Sequence, residues 1–316
     1  MLYLNNTNLN QLNKPWKDTI NVIKDTVDLL KTGKYDQPIK PYLNFDNAKN
    51  RIIAMPARIG SDELGMSGIK WIASFPENTS QGKLRANSIT ILNDSMTGEP
   101  LAFINSSHIS VIRTVSVTGY ILRYLFNTTH KTNQKILIIG YGPIGQNHLI
   151  MLLDQFSEYI NSVEIFDIQD IDLYNYSENG IDISQTNDLE TSFKNADIVI
   201  TATTSSSGYL NFKPKNGSVH LNISLRDYDV SMLQFFDSII VDKWTEVCRA
   251  GTDIERMFKF NGLKPSDCVE ITELTPSCFI NNTVFFNPMG MAVFDIAIGQ
   301  YILGLARNNK VGLELE

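Results

Sequence analysis

What this sequence lacks narrows its reading before any motif is considered. Cysteine is scarce: Cys248, Cys268 and Cys278 make three, an odd number at spacings that match neither a zinc ribbon nor a redox pair, so they read as reduced thiols. The four histidines, His108, His130, His148 and His220, show no ligand spacing, and no metal is expected. No apolar run approaches the ~18 residues of a membrane span. The opening "MLYLNNTNLNQLNKPW" lacks the basic region and apolar core of a secretory leader, so the expectation is a cytoplasmic protein without a membrane partner. Basic residues are in deficit as well. The 27 Lys and Arg against 34 Asp and Glu give a net charge of -7, which argues against nucleic-acid binding and for work on a small molecule. There is no internal repeat and no low-complexity tract.

What is present has the patterning of about two domains. The 316 residues are 43% hydrophobic and 19% charged, enough apolar material for a substantial core. Residues 15–33 place Trp16, Ile20, Ile23, Val27, Leu29 and Leu30 at helical spacing and close on Gly33, which predicts a helix with a C-terminal stop. From 34 to 104 come short β-like runs, "RIIAMPA", "SGIKWIAS", "SITILND" and "PLAFINS", separated by turn chemistry such as "NDSMTGEP". A meander of mostly antiparallel strands is expected. Residues 107–126 read as a long helix leading to a second domain.

From 135 the rhythm becomes strand–helix–strand. "KILIIG", "SVEIFDI", "ADIVITAT", "SVHLNIS" and "SIIVDKW" are apolar, β-branched runs suited to a parallel sheet covered on both faces. Residues 168–187 are polar and make a poor helix, so the second crossover is expected to be short or irregular. "NPMGMAVFDIAIGQYILGLARNN" reads as a turn and a helix that returns to the first domain.

Gly140, Gly142 and Gly145 form a G-x-G-x-x-G in "GYGPIG". Alone the pattern is weak; here it ends a strand run and opens a helical one, the context that gives it meaning. Gly140 is expected to make the tight turn, Gly142 to admit a pyrophosphate, and Gly145 to let helix and strand pack closely. Pro143 falls at the first helical position, where its missing N–H costs nothing. The helix start, with Ile144, then offers N–H groups to phosphates. Asp167 ends the second strand, 27 residues after Gly140. Its carboxylate can accept both ribose hydroxyl protons and repels a 2′-phosphate, and no arginine follows it in "DIQD", so NAD is expected over NADP. "TATTSSS" at 201–207 adds hydroxyls after a later strand, Thr203 among them.

Three charged residues stand out. Lys70 lies inside an apolar strand run, where an ammonium is costly unless paired. Arg113 lies early in a helix beside Ile112, Val115 and Val117. Asp227 follows "HLNIS" at the C-terminal edge of a strand, where open sheets bind ligands. Cations can clamp a substrate carboxylate and a carboxylate can move a proton, the two needs of an amino-acid oxidoreductase. His220 is expected only to pack.

"GIKW" with Lys70, "IRTVSV" with Arg113, "GYGPIG", "HLNISLRD" with Asp227, and "NPMGMAVFDIA" together resemble the ornithine cyclodeaminase/mu-crystallin family, over roughly 35–316 and in the family's motif order. The resemblance implies an α/β fold class: a Rossmann-type NAD-binding domain over 118–291, plus an α+β substrate-binding/dimerisation domain over 1–117 and 292–316, in a homodimer. It implies that Arg113 and Lys70 ligate a substrate carboxylate, Lys70 also assisting the chemistry, and that Asp227 is the catalytic acid/base. Cofactor contacts are expected at Gly140, Gly142, Pro143, Ile144, Gly145, Asp167, Thr203, Ser224, Met289 and Gly290.

Two positions depart from the family pattern. Arg85 stands where cyclodeaminases carry a threonine on the strand after the lysine, and Lys40 replaces an arginine that precedes the "MP" dipeptide. An arginine at 85 disfavours a diamine such as ornithine and suits a second carboxylate. Within the family, "QPIKPYL", "RIIAMPARIG", "SGIKWI", "ITILND", "NISLRD" and "FFNPMGMAVFDI" are similar to the branch that oxidises N-(1-amino-1-carboxy-2-ethyl)-L-glutamate with NAD, yielding L-2,3-diaminopropionate and 2-oxoglutarate for siderophore or related secondary-metabolite biosynthesis. The alternatives on the same scaffold are an ornithine cyclodeaminase, an imine reductase or an amino-acid dehydrogenase. A non-catalytic nicotinamide-binding protein is the alternative from another class; it would have no need of Asp227.

Overall fold

Strands in the first third of the chain alternate buried and half-buried side chains, and a helix from the far end of the sequence covers them. The computed structural model describes residues 1–61, 65–173 and 180–316. The chain divides into two units, Met1–Val117 joined by Gly290–Glu316, and Thr118–Met289, so the return to the first unit comes at Gly290, ahead of the expected 292.

The first unit contains β1 (Leu2–Asn5), α1 (Asn6–Gln11), α2 (Trp16–Lys31), β2 (Tyr35–Asp36), β3 (Tyr42–Asn44), β4 (Arg51–Ile59), β5 (Met66–Ser74), β6 (Ala86–Asp94), β7 (Pro100–Asn105) and the start of α3 (His108–Thr129). Along the second run β8 (Gln134–Ile139), α4 (Pro143–Phe156), β9 (Ile160–Phe166), β10 (Asp182–Gln185), α5 (Leu189–Asn195), β11 (Ile198–Thr201), β12 (Val219–Asn222), β13 (Ser238–Val241), α6 (Trp244–Val247), α7 (Asp253–Asn261), β14 (Cys268–Glu270) and β15 (Val284–Asn287). α8 (Ala292–Asn309) and β16 (Leu313–Glu314) complete the first unit.

Among the described residues the first sheet has the order β16–β1–β7–β6–β5–β4–β2, with β3 on β4. β4, β5 and β6 are antiparallel neighbours, and their register sets Lys70 opposite Met55 on one side and Thr90 on the other. α2 turns Ile20, Ile23, Val27 and Leu30 inward, the single apolar stripe its spacing predicts. α8 packs on β4, β5 and β6 and against α2. Its Val293, Phe294, Ile296 and Ile298 are fully buried, each contributing roughly 1.5–3 kcal/mol.

The second sheet is parallel throughout, in the order β10–β9–β8–β11–β12–β15–β13–β14. The order reverses between β8 and β11, and ligands of such sheets bind outside the strand ends at that switch. Its core includes Leu137, Phe193, Val199, Tyr228, Phe236 and Phe285, with Phe236 and Phe285 stacked at 4.2 Å. His220 sits in this core between Ser218 Oγ and the Tyr228 hydroxyl, both at 2.9 Å, and burial pushes its imidazole down to about 3.

β10, β14 and β15 are additions to the strands expected from the pattern. β15 slots between β12 and β13 with all four residues buried. β10 is an edge strand that alternates exposed and half-buried residues, which hides it within the polar stretch 168–187. The irregular crossover expected there falls in part on 174–179, which lie outside the described residues. No helix among the described residues is long and apolar enough to cross a membrane.

Candidate active site

β8 runs directly into the glycine loop. Gly140 has φ +93°, and a Cβ there would lie 2.7 Å from the Ala202 carbonyl oxygen, so only glycine turns the chain at this point. A Cβ on Gly145 would lie 2.0 Å from the Gly140 oxygen, which sets how closely α4 sits on β8. Beside Gly142, the N-cap of α4, a Cβ would meet nothing within 4 Å. That space is open to a ligand. Pro143 starts α4 and no side chain caps it, so the first-turn N–H groups at Ile144 and Gly145 are left for an anion.

A cavity of about 610 Å³ opens at this edge, lined by Gly140, Gly142, Asp167, Thr203 and Tyr209 with Ile139, Phe166 and Leu189 as apolar walls. Asp167 is held at the loop: Oδ2 accepts the Tyr141 N–H at 2.6 Å and Oδ1 the Gln169 N–H at 2.9 Å. An open helix N-terminus, a cradle without side chains and a fixed carboxylate beyond it fit a dinucleotide. Ser224 and Met289, two further expected cofactor contacts, belong to the same unit. The Ser224 hydroxyl donates to Asp227, and Met289 packs against the core of the second unit.

Asp227 is fully buried. The Thr203 hydroxyl donates to its Oδ1 and the Ser224 hydroxyl to its Oδ2. Its loop is anchored on Asp253, whose Oδ2 accepts the Asp227 and Tyr228 N–H groups at 3.1 Å each and Asn222 Nδ2 at 2.8 Å. Burial pushes the Asp253 carboxyl up to about 6, against the pull of these donors and of the paired Arg256. Asp227 itself is therefore held from beneath by backbone and from above by hydroxyls.

The first unit holds the cations. Lys70 Nζ lies 2.7 Å from Asp295 Oδ1, and Arg113 Nε lies 3.1 Å from the same oxygen. Lys70 also donates to Ser110 Oγ at 3.1 Å. Asp295 Oδ2 and Thr90 Oγ1 are buried without a hydrogen-bond partner. Burial pushes the Lys70 ammonium down to about 7; Asp295 opposes this, while Arg113 and Lys40 add to it. Burial alone would raise the Asp295 carboxyl, but Arg113 and Lys70 hold it below its ordinary value. Two buried cations thus share one carboxylate, leaving a net positive charge that a second carboxylate would neutralise with charge-assisted hydrogen bonds.

Lys40 is buried too and donates to the Gly290 carbonyl oxygen at 2.8 Å. Gly290 has φ +87°, and a Cβ on it would come within 2.2 Å of Arg113 Nη1. Within its own unit Gly290 lies directly against the Arg113 guanidinium. Arg85 differs from expectation in its place on the sheet. It is exposed in the bend before β6, not on that strand, because the β5–β6 ladder ends at Ser74 opposite Ala86. Arg51, opposite Ser74 on β4, is its charged neighbour, so the two arginines share one end of the sheet and stand apart from the buried cluster.

Sequence reasoning missed Asp295 and Tyr209. The signal for Asp295 is an acid inside the apolar helical run "AVFDIAIG": a buried lysine and a buried acid in one chain are candidates for each other. Among the described residues no group of three or more His, Cys, Asp or Glu side chains could hold a metal ion.

Compared with known proteins, residues 6–223 match the model of the ornithine cyclodeaminase/mu-crystallin family. The chain is 29% identical to the N-((2S)-2-amino-2-carboxyethyl)-L-glutamate dehydrogenase of Staphylococcus aureus (strain NCTC 8325 / PS 47), covering 100% of this chain and 98% of that protein. The structure of Thermococcus litoralis Δ(1)-pyrroline-2-carboxylate reductase in complex with NADH and L-proline shares the fold with a TM-score of 0.85 at 22% identity, over 100% of both chains. An archaeal alanine dehydrogenase dimer with bound NAD does so with a TM-score of 0.84 at 22% identity, over 100% of this chain and 99% of that one. The chain belongs to the ornithine cyclodeaminase/mu-crystallin family.

Proposed function

We propose that this chain is an NAD-dependent oxidoreductase acting on a CH–NH donor, and that its substrate is N-(1-amino-1-carboxy-2-ethyl)-L-glutamate, converted to L-2,3-diaminopropionate and 2-oxoglutarate for siderophore or related secondary metabolism. The observation that carries the reading is the buried Lys70–Asp295–Arg113 cluster, one negative charge short of neutrality, which calls for a ligand carboxylate. The activity named for the S. aureus relative supports the choice of substrate. The dimer with NAD and the complex with NADH support the cofactor and a homodimeric assembly.

NAD, held by Gly140, Gly142, Ile144, Gly145 and Asp167, would supply the acceptor for the hydrogen and electron pair leaving Cα. Lys70 and Arg113 hold the α-carboxylate and so fix the direction of the Cα–H bond, and positioning of this kind supplies much of the rate. Asp227 takes a proton from the substrate amine, freeing its lone pair to drive the oxidation, and gives a proton back as water adds to the resulting C=N carbon. Collapse of the carbinolamine separates the oxoacid from the diamino acid. A distal carboxylate of this substrate would have to reach out of the buried cluster to meet Arg85.

Mixing the protein with NAD and this amine, while following NADH absorbance and identifying products by mass spectrometry, tests the reading. Equal amounts of NADH and 2-oxoglutarate are expected; no NADH formation overturns it. A second reading, reduction of a cyclic imine carboxylate, is favoured by the separation of Arg85 from the buried cluster, which leaves one enclosed carboxylate site. The same protein with NADH and Δ(1)-pyrroline-2-carboxylate distinguishes the two.

A further inference from the structure

An acid/base group must exchange its proton with something, and Asp227 has no exposed surface. Its hydroxyl neighbours differ in where they lead. Ser224 Oγ turns inward to Thr201 Oγ1 at 3.1 Å, which in turn meets Asn222 Oδ1 at 3.0 Å. Thr203, bonded to Asp227 Oδ1, lines the cavity, and so does Tyr209. Asp227 and Thr203 are both neighbours of the Tyr209 hydroxyl.

The backbone enforces this placement. The Tyr209 and Leu210 N–H groups donate to the Asp227 carbonyl oxygen at 2.9 and 2.8 Å, and Leu210 forms a parallel bridge with Tyr228. Gly208 lies so close to Tyr228 that a Cβ on it would stand 2.2 Å from the Tyr228 oxygen. Residues 208–210 are thus clipped to 227–228, which carries the phenol to the carboxylate.

We propose that Asp227 exchanges its proton with the reacting amine through the hydroxyls of Tyr209 and Thr203, a two-member relay from the buried carboxylate to the cavity. The inference rests on the oxidoreductase reading above. In the forward step the N–H proton of the ammonium passes to the Tyr209 oxygen, the Tyr209 proton passes to the Thr203 oxygen, and the Thr203 proton passes to Asp227 Oδ1. Each hydroxyl ends as it began, the carboxylate becomes a carboxylic acid, and the nitrogen keeps its lone pair. The reverse shift returns the proton. No tyrosinate forms at any stage, in keeping with burial and the nearby Asp227, which both hold the phenol far above its ordinary range.

The test compares wild type with Thr203→Val, Thr203→Ser and Tyr209→Phe, each checked for folding by thermal unfolding. The reactions are oxidation of the secondary amine, oxidation of alanine, and reduction of Δ(1)-pyrroline-2-carboxylate. Thr203→Val and Tyr209→Phe should each lower kcat by about 10²-fold, the scale of a lost proton-transfer group, and enlarge the solvent deuterium isotope effect. NAD affinity, read by fluorescence titration, should stay within about twofold, and Thr203→Ser should regain most of kcat because the hydroxyl is restored. Wild-type kcat and isotope effect in either Thr203→Val or Tyr209→Phe would take that hydroxyl out of the proton path and end the proposal. A loss confined to NAD affinity would end it as well, by making the hydroxyls cofactor ligands. If the amine is inert but alanine or the imine turns over, the substrate assignment fails while the relay is judged on that reaction. If none of the three turns over in wild type, both fall.

Discussion

Lys70 in β5 and Asp295 in α8 lie 225 residues apart in sequence and meet at 2.7 Å inside the first unit. One carboxylate oxygen serves both Lys70 and Arg113, while the other accepts nothing. Removing one partner from such a group strands the rest. Asp295→Ala should therefore cost about 3–5 kcal/mol of stability, the scale for breaking a buried ion pair from one side, measured as a lower midpoint in urea unfolding. A loss below about 1 kcal/mol would mean that the cations find water when the carboxylate is gone.

The same pair sets a pH dependence. With the Lys70 ammonium held near 7, the substrate carboxylate meets a cation below that pH and a neutral amine above it. KM for a carboxylate substrate should rise as pH climbs past 7, approaching ~10-fold per unit if only the protonated form binds. Asp295→Asn removes the negative charge that favours the ammonium, so the rise should begin at lower pH. For folding the sign is opposite. The folded value is below the ordinary 10.5, so between about 7 and 10.5 the unfolded chain binds the extra proton, and this group makes the ligand-free protein more stable as pH increases through that window. A KM that stays flat from pH 6 to 9 would take Lys70 out of substrate binding.

Asp167 provides a third test. Its carboxylate is fixed by two backbone N–H groups beside the glycine loop, where it can accept ribose hydroxyls and repel a 2′-phosphate. Wild type should favour NAD over NADP in kcat/KM, and Asp167→Ser should erode that preference mainly by improving the use of NADP. Equal use of both cofactors by wild type would contradict the assignment.

The glycines of the loop separate folding from binding. Gly142→Ala places a methyl group in open space at φ -68°, so thermal stability should change little while NAD affinity falls by about 10-fold or more. Gly145→Ala drives a methyl group to 2.0 Å from the Gly140 oxygen, so stability itself should fall. Calorimetry on both variants with and without NAD reads the contrast. Unchanged NAD binding in Gly142→Ala would place the pyrophosphate elsewhere.

Legibility in the sequence followed physical cost. Strands buried on both faces leave unbroken apolar runs such as "KILIIG", and a glycine turn between such a run and a helix is visible at once. β10 escapes because an edge strand alternates with polar residues, and β15 because four residues are too few to mark a period. Lys70 announces itself as a charge in an apolar strand, but only three-dimensional proximity reveals Asp295 as its partner. Arg85 shows where motif alignment stops. A helical turn at Pro76–Gln81 and Gly82 at φ +67° delay the start of β6 to Ala86, a displacement no residue-type pattern encodes. Tyr209 is invisible as a site residue because the close approach of Gly208 to Tyr228 is what brings it to Asp227.

The split of the first unit around the second has a consequence for biosynthesis. The second unit is continuous from Thr118 to Met289, whereas the first waits for Gly290–Glu316. On the ribosome, where domains generally fold as they emerge, the parallel sheet has all its strands before α8 is made. Until then Lys70 and Arg113 have no Asp295, and β4, β5 and β6 lack the helix that covers them. A nascent chain arrested after Met289 would present an uncovered apolar sheet bearing two uncompensated cations, a species suited to chaperone capture, while its nucleotide cradle was already complete. Synthesis of residues 290 to 316 thus decides at once whether the first unit closes and whether its cations are neutralised.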